Sequence, residues 1–134
     1  MEKTKTECLS GAFGFNGKIY PCTLSVAMDL VGGKWKAVIL YHLQDGGKRF
    51  GELHAHLHNA SEAVLSRSLK QLERDGLVSR RVFGSRPPLK TEYALTKFGE
   101  SFLPVLAALT EWGNRAVVAQ GCFIDDAPGH QEAV

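Results

Sequence analysis

No apolar run in this 134-residue chain approaches the ~20 residues that span a bilayer. The N-terminal stretch also lacks the roughly 7 to 15 consecutive apolar residues of a secretory signal. A cytoplasmic protein with no membrane partner is expected. Cysteine is scarce: Cys8, Cys22 and Cys122 are the three, far apart and without a CxxC pair. An odd, scattered set argues against a disulfide framework or a zinc knuckle and leaves free or reactive thiols. No glycine-rich phosphate loop follows a strand, no paired acids stand out, and no cysteine has an evident histidine partner. The chain therefore does not read as an enzyme, and no cofactor is expected.

What is present begins with charge. The formal net charge of +2 conceals an asymmetry. Residues 34–50 carry Lys34, Lys36, Lys48 and Arg49 against Asp45 alone. Residues 61–90 carry Arg67, Lys70, Arg74, Arg80, Arg81, Arg86 and Lys90 against Glu62, Glu73 and Asp75. Beyond residue 90 the balance turns acidic. One part of the molecule can attract a polyanion and another cannot.

The stretch at the centre of the basic region, residues 61–81, has the clearest pattern. Ser61 and Glu62 suit an N-cap and first turn. Leu65, Leu69 and Leu72 recur on one helical face. The other face carries Ser61, Glu62, Ala63, Ser66, Arg67 and Lys70, small, polar and basic as a groove-binding helix requires. Gly76 fits a left-handed helix end, and a β-prone run, residues 77–83, follows at once. The consecutive prolines at 87 and 88 require a loop over residues 84–90, and residues 91–95 form the returning strand. Arg86 and Lys90 on that loop would face phosphates or a minor groove.

Upstream, residues 1–20 read as a flexible N-terminal arm with weak local structure. Three short helices follow. The first opens at Pro21-Cys22-Thr23, with Thr23 as its cap, and ends at Gly32-Gly33; the second starts near Lys34 and stops at Asp45. The third follows Arg49, and Lys48 and Arg49 at its start are candidate phosphate clamps. His54 and His58 within it are spaced as a metal pair, but no further ligands stand at a recognisable spacing. They are read as surface histidines, and no metal site is expected. A long last helix begins at Thr96, bent or broken at Pro104. Its stripe of Phe98, Phe102, Leu106, Leu109, Trp112 and Ala116 is wider than a three-helix core can cover. With the first helix it predicts burial against a second copy of the chain. Residues 121–134 read as an acidic C-terminal tail.

The fold expected is thus mainly α with a small β-hairpin: a winged helix-turn-helix over residues 21–120, dimerised through its first and last helices. In order along the chain, Asp29-Leu30-Val31-Gly32-Gly33-Lys34-Trp35-Lys36, Arg49-Phe50-Gly51-Glu52-Leu53, Leu65, Leu69-Lys70-Gln71-Leu72-Glu73, Asp75-Gly76-Leu77-Val78 and Glu92-Tyr93-Ala94-Leu95-Thr96-Lys97-Phe98-Gly99 strongly resemble the HxlR-type bacterial transcription regulators. These are relatives of the MarR group, and the resemblance runs from about Cys22 to Trp112. It implies a homodimeric regulator, read as a repressor, on a roughly palindromic double-stranded DNA operator. It also implies that Cys22, at the family's cysteine position, senses small electrophiles or oxidants such as quinones and aldehydes; by position in the chain, Cys122, Cys8 or neither is its partner thiol. Thr23 stands where the family usually has proline. A winged-helix module that binds only protein is the alternative. It does not account for the basic residues on the helix and wing.

Overall fold

The computed structural model describes residues 8–122 and 124. The chain divides into two compact units, one ending at Leu103 and one beginning at Pro104. The first opens with a structure that the sequence reading missed. Strands β1 (Ser10–Phe15) and β2 (Lys18–Cys22) form an antiparallel hairpin. The expectation of weak local structure over residues 1–20 therefore fails from Ser10 onward. The cause is the turn: Asn16 and Gly17 both take positive φ, 51° and 78°, the pair of left-handed residues that a tight hairpin of right-handed twist needs. Residues 1–7 lie outside the described residues.

Helix α1 (Thr23–Val31) follows β2 without a linker. Its N-cap is Cys22, not Thr23, because the hairpin holds residue 22 extended into the last strand position. Thr23 turns its hydroxyl outward to accept from the Leu9 amide at 3.1 Å. Helix α2 (Lys36–His42) buries Ile39 and Leu40, and Leu43 follows at its C-cap. Helix α3 (Phe50–His56) buries Leu53. Its first turn is closed by the Glu52 carboxylate, which accepts from the Arg49 amide at 2.7 Å. Helix α4 (Glu62–Arg74) buries Leu65, Leu69 and Leu72 as its spacing predicts. Together with Leu57, Leu77 and Val78 these residues make one core, each leucine contributing roughly 1.5–3 kcal/mol through burial.

Gly76, at φ 84°, ends α4, and β4 (Val78–Phe83) pairs antiparallel with β5 (Lys90–Leu95). A third strand, β3 (Lys48–Arg49), completes the sheet in the order β3-β5-β4. Two residues are too few for alternation to reveal them in a sequence. Thr96 then joins wing to helix: its hydroxyl donates to the Gly76 carbonyl and accepts from the Gly99 amide at 3.0 Å, capping α5 (Lys97–Glu100). Gly99 is required at its position, since a Cβ there would collide with the Leu77 carbonyl oxygen.

The long last helix is two helices. After α5 a turn at Ser101-Phe102 leads into α6 (Leu103–Gln120). Pro104 falls in the first turn of α6, where its missing N–H costs nothing, so the break lies just ahead of it. In the second unit α6 leaves Val105, Leu109, Trp112, Val117 and Val118 exposed, Trp112 by 69 %. No helix among the described residues is long and apolar enough to cross a membrane. Of the tail expected over residues 121–134, only Gly121, Cys122 and Ile124 are described.

Candidate nucleic-acid interface and thiol site

Helix α4 is fixed along its inner face by three buried leucines and at its start by Ser61, whose hydroxyl accepts from the Val64 amide at 3.1 Å. That holds the outer face in one orientation. Ala63, Arg67, Lys70 and Arg74 recur at i, i+4, i+7 and i+11 and so form the centre of that face. All four are exposed, as are Ser61 and Glu62, while Ser66 is half-buried at the flank. Among the described residues Arg67 and Lys70 enter no ion pair, whereas Arg74 lies 3.6 Å from Asp75. A small Ala63 ahead of two uncommitted cations is the pattern that a groove-binding helix requires.

The sheet distributes its cations by register. Arg49 and Arg81 both stand opposite Glu92 in β5, and Lys48 and Arg80 both stand opposite Tyr93. Successive strand residues point to opposite faces, so Arg49 and Arg81 share one face and Lys48 and Arg80 the other. Lys48 and Arg49 therefore belong to a short strand that leads straight into α3, with Arg49 as the helix N-cap, and they start from opposite faces of the sheet. Arg81 is held by Glu92 at 3.5 Å and over the Phe83 ring at 5.3 Å. The sequence shows Arg80 and Arg81 as charge without assigning either to a face of the sheet. Their strand register, which depends on pairing distant in sequence, was the missing signal. Arg86 in the loop and Lys90 at the start of β5 are exposed, without ion pairs among the described residues.

The histidines of α3 do not gather as ligands. Helix α3 stops at His56, leaving His58 beyond it, and the His54 ring hydrogen-bonds the Ala60 carbonyl oxygen at 3.0 Å. His42 stacks on His56 at 4.9 Å; burial, then its neighbours His56 and Lys48, hold its pKa below the ordinary histidine range.

Cys22, at the start of α1, lies with its sulfur 3.3 Å from the Ser25 hydroxyl. That hydrogen bond, with smaller help from the Ser25 amide and the Cys8 thiol, lowers its pKa from the usual thiol value. The residue borders an open groove lined by Tyr20, Leu24, Ser25, Met28 and Asp29. Tyr20 donates to Asp29, and Lys18 lies 3.3 Å from the same carboxylate, so the hairpin is fastened to α1. Of the three thiols, the first unit brings together Cys22 and Cys8; Cys122 is exposed just after α6 in the second unit.

Three short helices, an outward polar and basic fourth-helix face and a cationic wing define a winged helix-turn-helix. A profile of the HxlR-like helix-turn-helix family matches residues 30–120. The HTH-type transcriptional regulator YdeP of Bacillus subtilis is 42 % identical over 94 residues, covering 70 % of this chain and 73 % of that one. Among solved structures, the redox regulator HypR in its oxidized form has 38 % identity and a TM-score of 0.66, covering 70 % of this chain and 96 % of that one. The reduced form of the transcriptional regulator YodB from B. subtilis has 29 % identity and a TM-score of 0.63, covering 75 % and 96 %. The chain belongs to the HxlR-like helix-turn-helix family, and it is a transcriptional regulator, not an enzyme.

Proposed function

We propose that the protein is a homodimeric repressor that binds a palindromic operator and responds to oxidants or electrophiles through Cys22. The observation that carries the DNA reading is the outer face of α4, where Arg67 and Lys70 stand exposed and unpaired among the described residues beside Ala63. Arg67 reads base edges and Lys70 steadies the backbone, with Ser61, Glu62 and Ser66 supplying hydrogen bonds. Lys48, Arg49, Arg86 and Lys90 hold phosphates on either side. Two such helices in a twofold dimer fit successive major grooves, ~34 Å apart. The exposed apolar residues of α1, Leu24 and Met28, and those of α6 support burial against a second copy.

The thiol response is supported by the lowered pKa of Cys22 and its open groove. It is supported also by similarity to HypR and to YodB, one structure of which is quinone-bound. Cys122 and Cys8 are the thiols available to complete the reaction. A gel-shift with DNA from around the protein's own gene, with and without diamide, tests both parts. Specific binding that weakens on oxidation supports the whole reading. Specific binding indifferent to diamide removes the sensor, and a complex that forms equally on every sequence removes the operator.

A further inference from the structure

The β1–β2 register sets Ser10 opposite Cys22, so the residues just ahead of β1 lie against the start of α1. The contact is specific. The Thr23 amide donates to the Leu9 carbonyl at 3.0 Å, and the Leu9 amide donates to the Thr23 hydroxyl at 3.1 Å. One residue earlier, the Cys8 sulfur accepts from the Leu24 amide at 3.1 Å and lies 3.4 Å from the Thr23 hydroxyl. Cys22 is the N-cap of this helix but makes no side-chain cap. Cys8 thus takes an open amide of the first turn from outside, and both sulfurs occupy the same helix end. The Cys8 thiol is also among the groups that lower the Cys22 pKa, after the Ser25 hydroxyl and amide.

We propose that Cys8 and Cys22 of one subunit are a redox pair that closes to an intrachain disulfide. The oxidant is a peroxide. The Cys22 thiolate attacks one peroxide oxygen, the O–O bond breaks, and the departing hydroxide takes a proton to leave as water, with Cys22 as sulfenic acid. The Cys8 sulfur then attacks the Cys22 sulfur; the S–O bond breaks, and the hydroxide leaves as a second water with the Cys8 proton. Two thiols have lost two electrons and two protons, and the peroxide has been reduced to two waters.

The consequence for DNA rests on the regulator reading above. To reach Cys22, the Cys8 sulfur gives up the Leu24 amide, so the first turn of α1 and the base of the hairpin rearrange. The tip of the same hairpin is tied to the reading helix: the Asn16 side-chain amide donates to the Asp75 carboxylate at 2.9 Å, and Asp75 is the C-cap of α4. A change at the thiol end is thereby passed to the end of α4.

The test treats the reduced full-length protein with hydrogen peroxide and maps thiols by non-reducing electrophoresis and tryptic mass analysis. Cys8 and Cys22 lie in separate tryptic peptides, residues 6–18 and 19–34. The expected product runs as a monomer, contains those peptides joined, and is restored by dithiothreitol. Cys8→Ser keeps an acceptor for the Leu24 amide, binds DNA like the reduced parent, and stops at a Cys22 sulfenic acid that dimedone traps. Operator affinity falls about 5- to 150-fold on oxidation of the parent, and Asn16→Ala forms the bond with a smaller fall. A covalent dimer joining Cys22 to Cys122 or Cys8 of the other subunit would overturn the pair while leaving the regulator. So would full alkylation of Cys8 after Cys22 is oxidised. An intrachain bond in a protein that forms no specific DNA complex would keep the pair and remove the regulator.

Discussion

Helices α1 and α4 are both amphipathic and both belong to the first unit, yet only one is completed by its own chain. α4 has its three leucines at most 1 % exposed, and its outer face is polar and charged. α1 has no fully buried residue and leaves Leu24 61 % and Met28 59 % exposed. A helix whose apolar side is finished within the monomer can commit its outer side to a charged partner. A helix whose apolar side is left over is built for an apolar one. On the proposed reading the contrast separates two tasks: α4 is offered to a polyanion, and α1 to another copy.

Breaking the finished side gives the largest effect. Leu69→Ala is expected to cost ~2–5 kcal/mol of folding stability, measured by urea denaturation. Leu24→Ala is expected to change subunit stability by only about 0.5 kcal/mol or less. It should nevertheless weaken dimerisation by up to ~1.5–3 kcal/mol if the side chain becomes fully buried there. Sedimentation at several concentrations separates the two quantities. An intact dimer in Leu24→Ala together with a lowered denaturation midpoint would reverse the assignment of the two helices. On the outer side of α4, Arg67→Ala is expected to cost ~1–3 kcal/mol on the operator and little on unrelated DNA. Equal losses on both would make Arg67 a phosphate contact.

The finished helix is also the part most legible in the sequence. Its leucine spacing, Ser61, Gly76 and the prolines of the wing are local signals, and each acts within a few residues of where it is read. The misses are non-local or too short. The Asn16-Gly17 turn was present in the chain, but the surrounding glycines and weak alternation hid the strands it joins. β3 has two residues, so it emerges only from its pairing with β5. The meeting of Cys8 with the start of α1 follows from the hairpin register, which includes a bulge between Ser10 and Phe13. Thr23 resembled a cap because threonine often is one. Here the strand ahead of it takes the cap position and leaves its hydroxyl free for Leu9. The DNA-facing candidates on α4 could be named from spacing alone, whereas the two-faced arrangement of Lys48, Arg49, Arg80 and Arg81 could not.

The smallest expected effect sharpens the contrast within the basic surface itself. Arg86 sits in the loop between β4 and β5, exposed and without an ion pair among the described residues, so its guanidinium is available to a phosphate and has no base edge fixed for it. Arg67 is carried on a rigid helix turn. Removing a phosphate contact lowers the steepness of log affinity against log salt by about 0.9 per contact on duplex DNA. Between 50 and 200 mM salt, that slope change alters the relative loss of affinity by only about three- to fourfold. Arg86→Ala should therefore weaken binding uniformly on operator and unrelated DNA at low salt, converge towards the parent as salt rises, and leave discrimination unchanged. Measured as a salt series on both DNAs, a loss confined to the operator would assign the wing a reading role and make α4 only one of two sequence-reading elements.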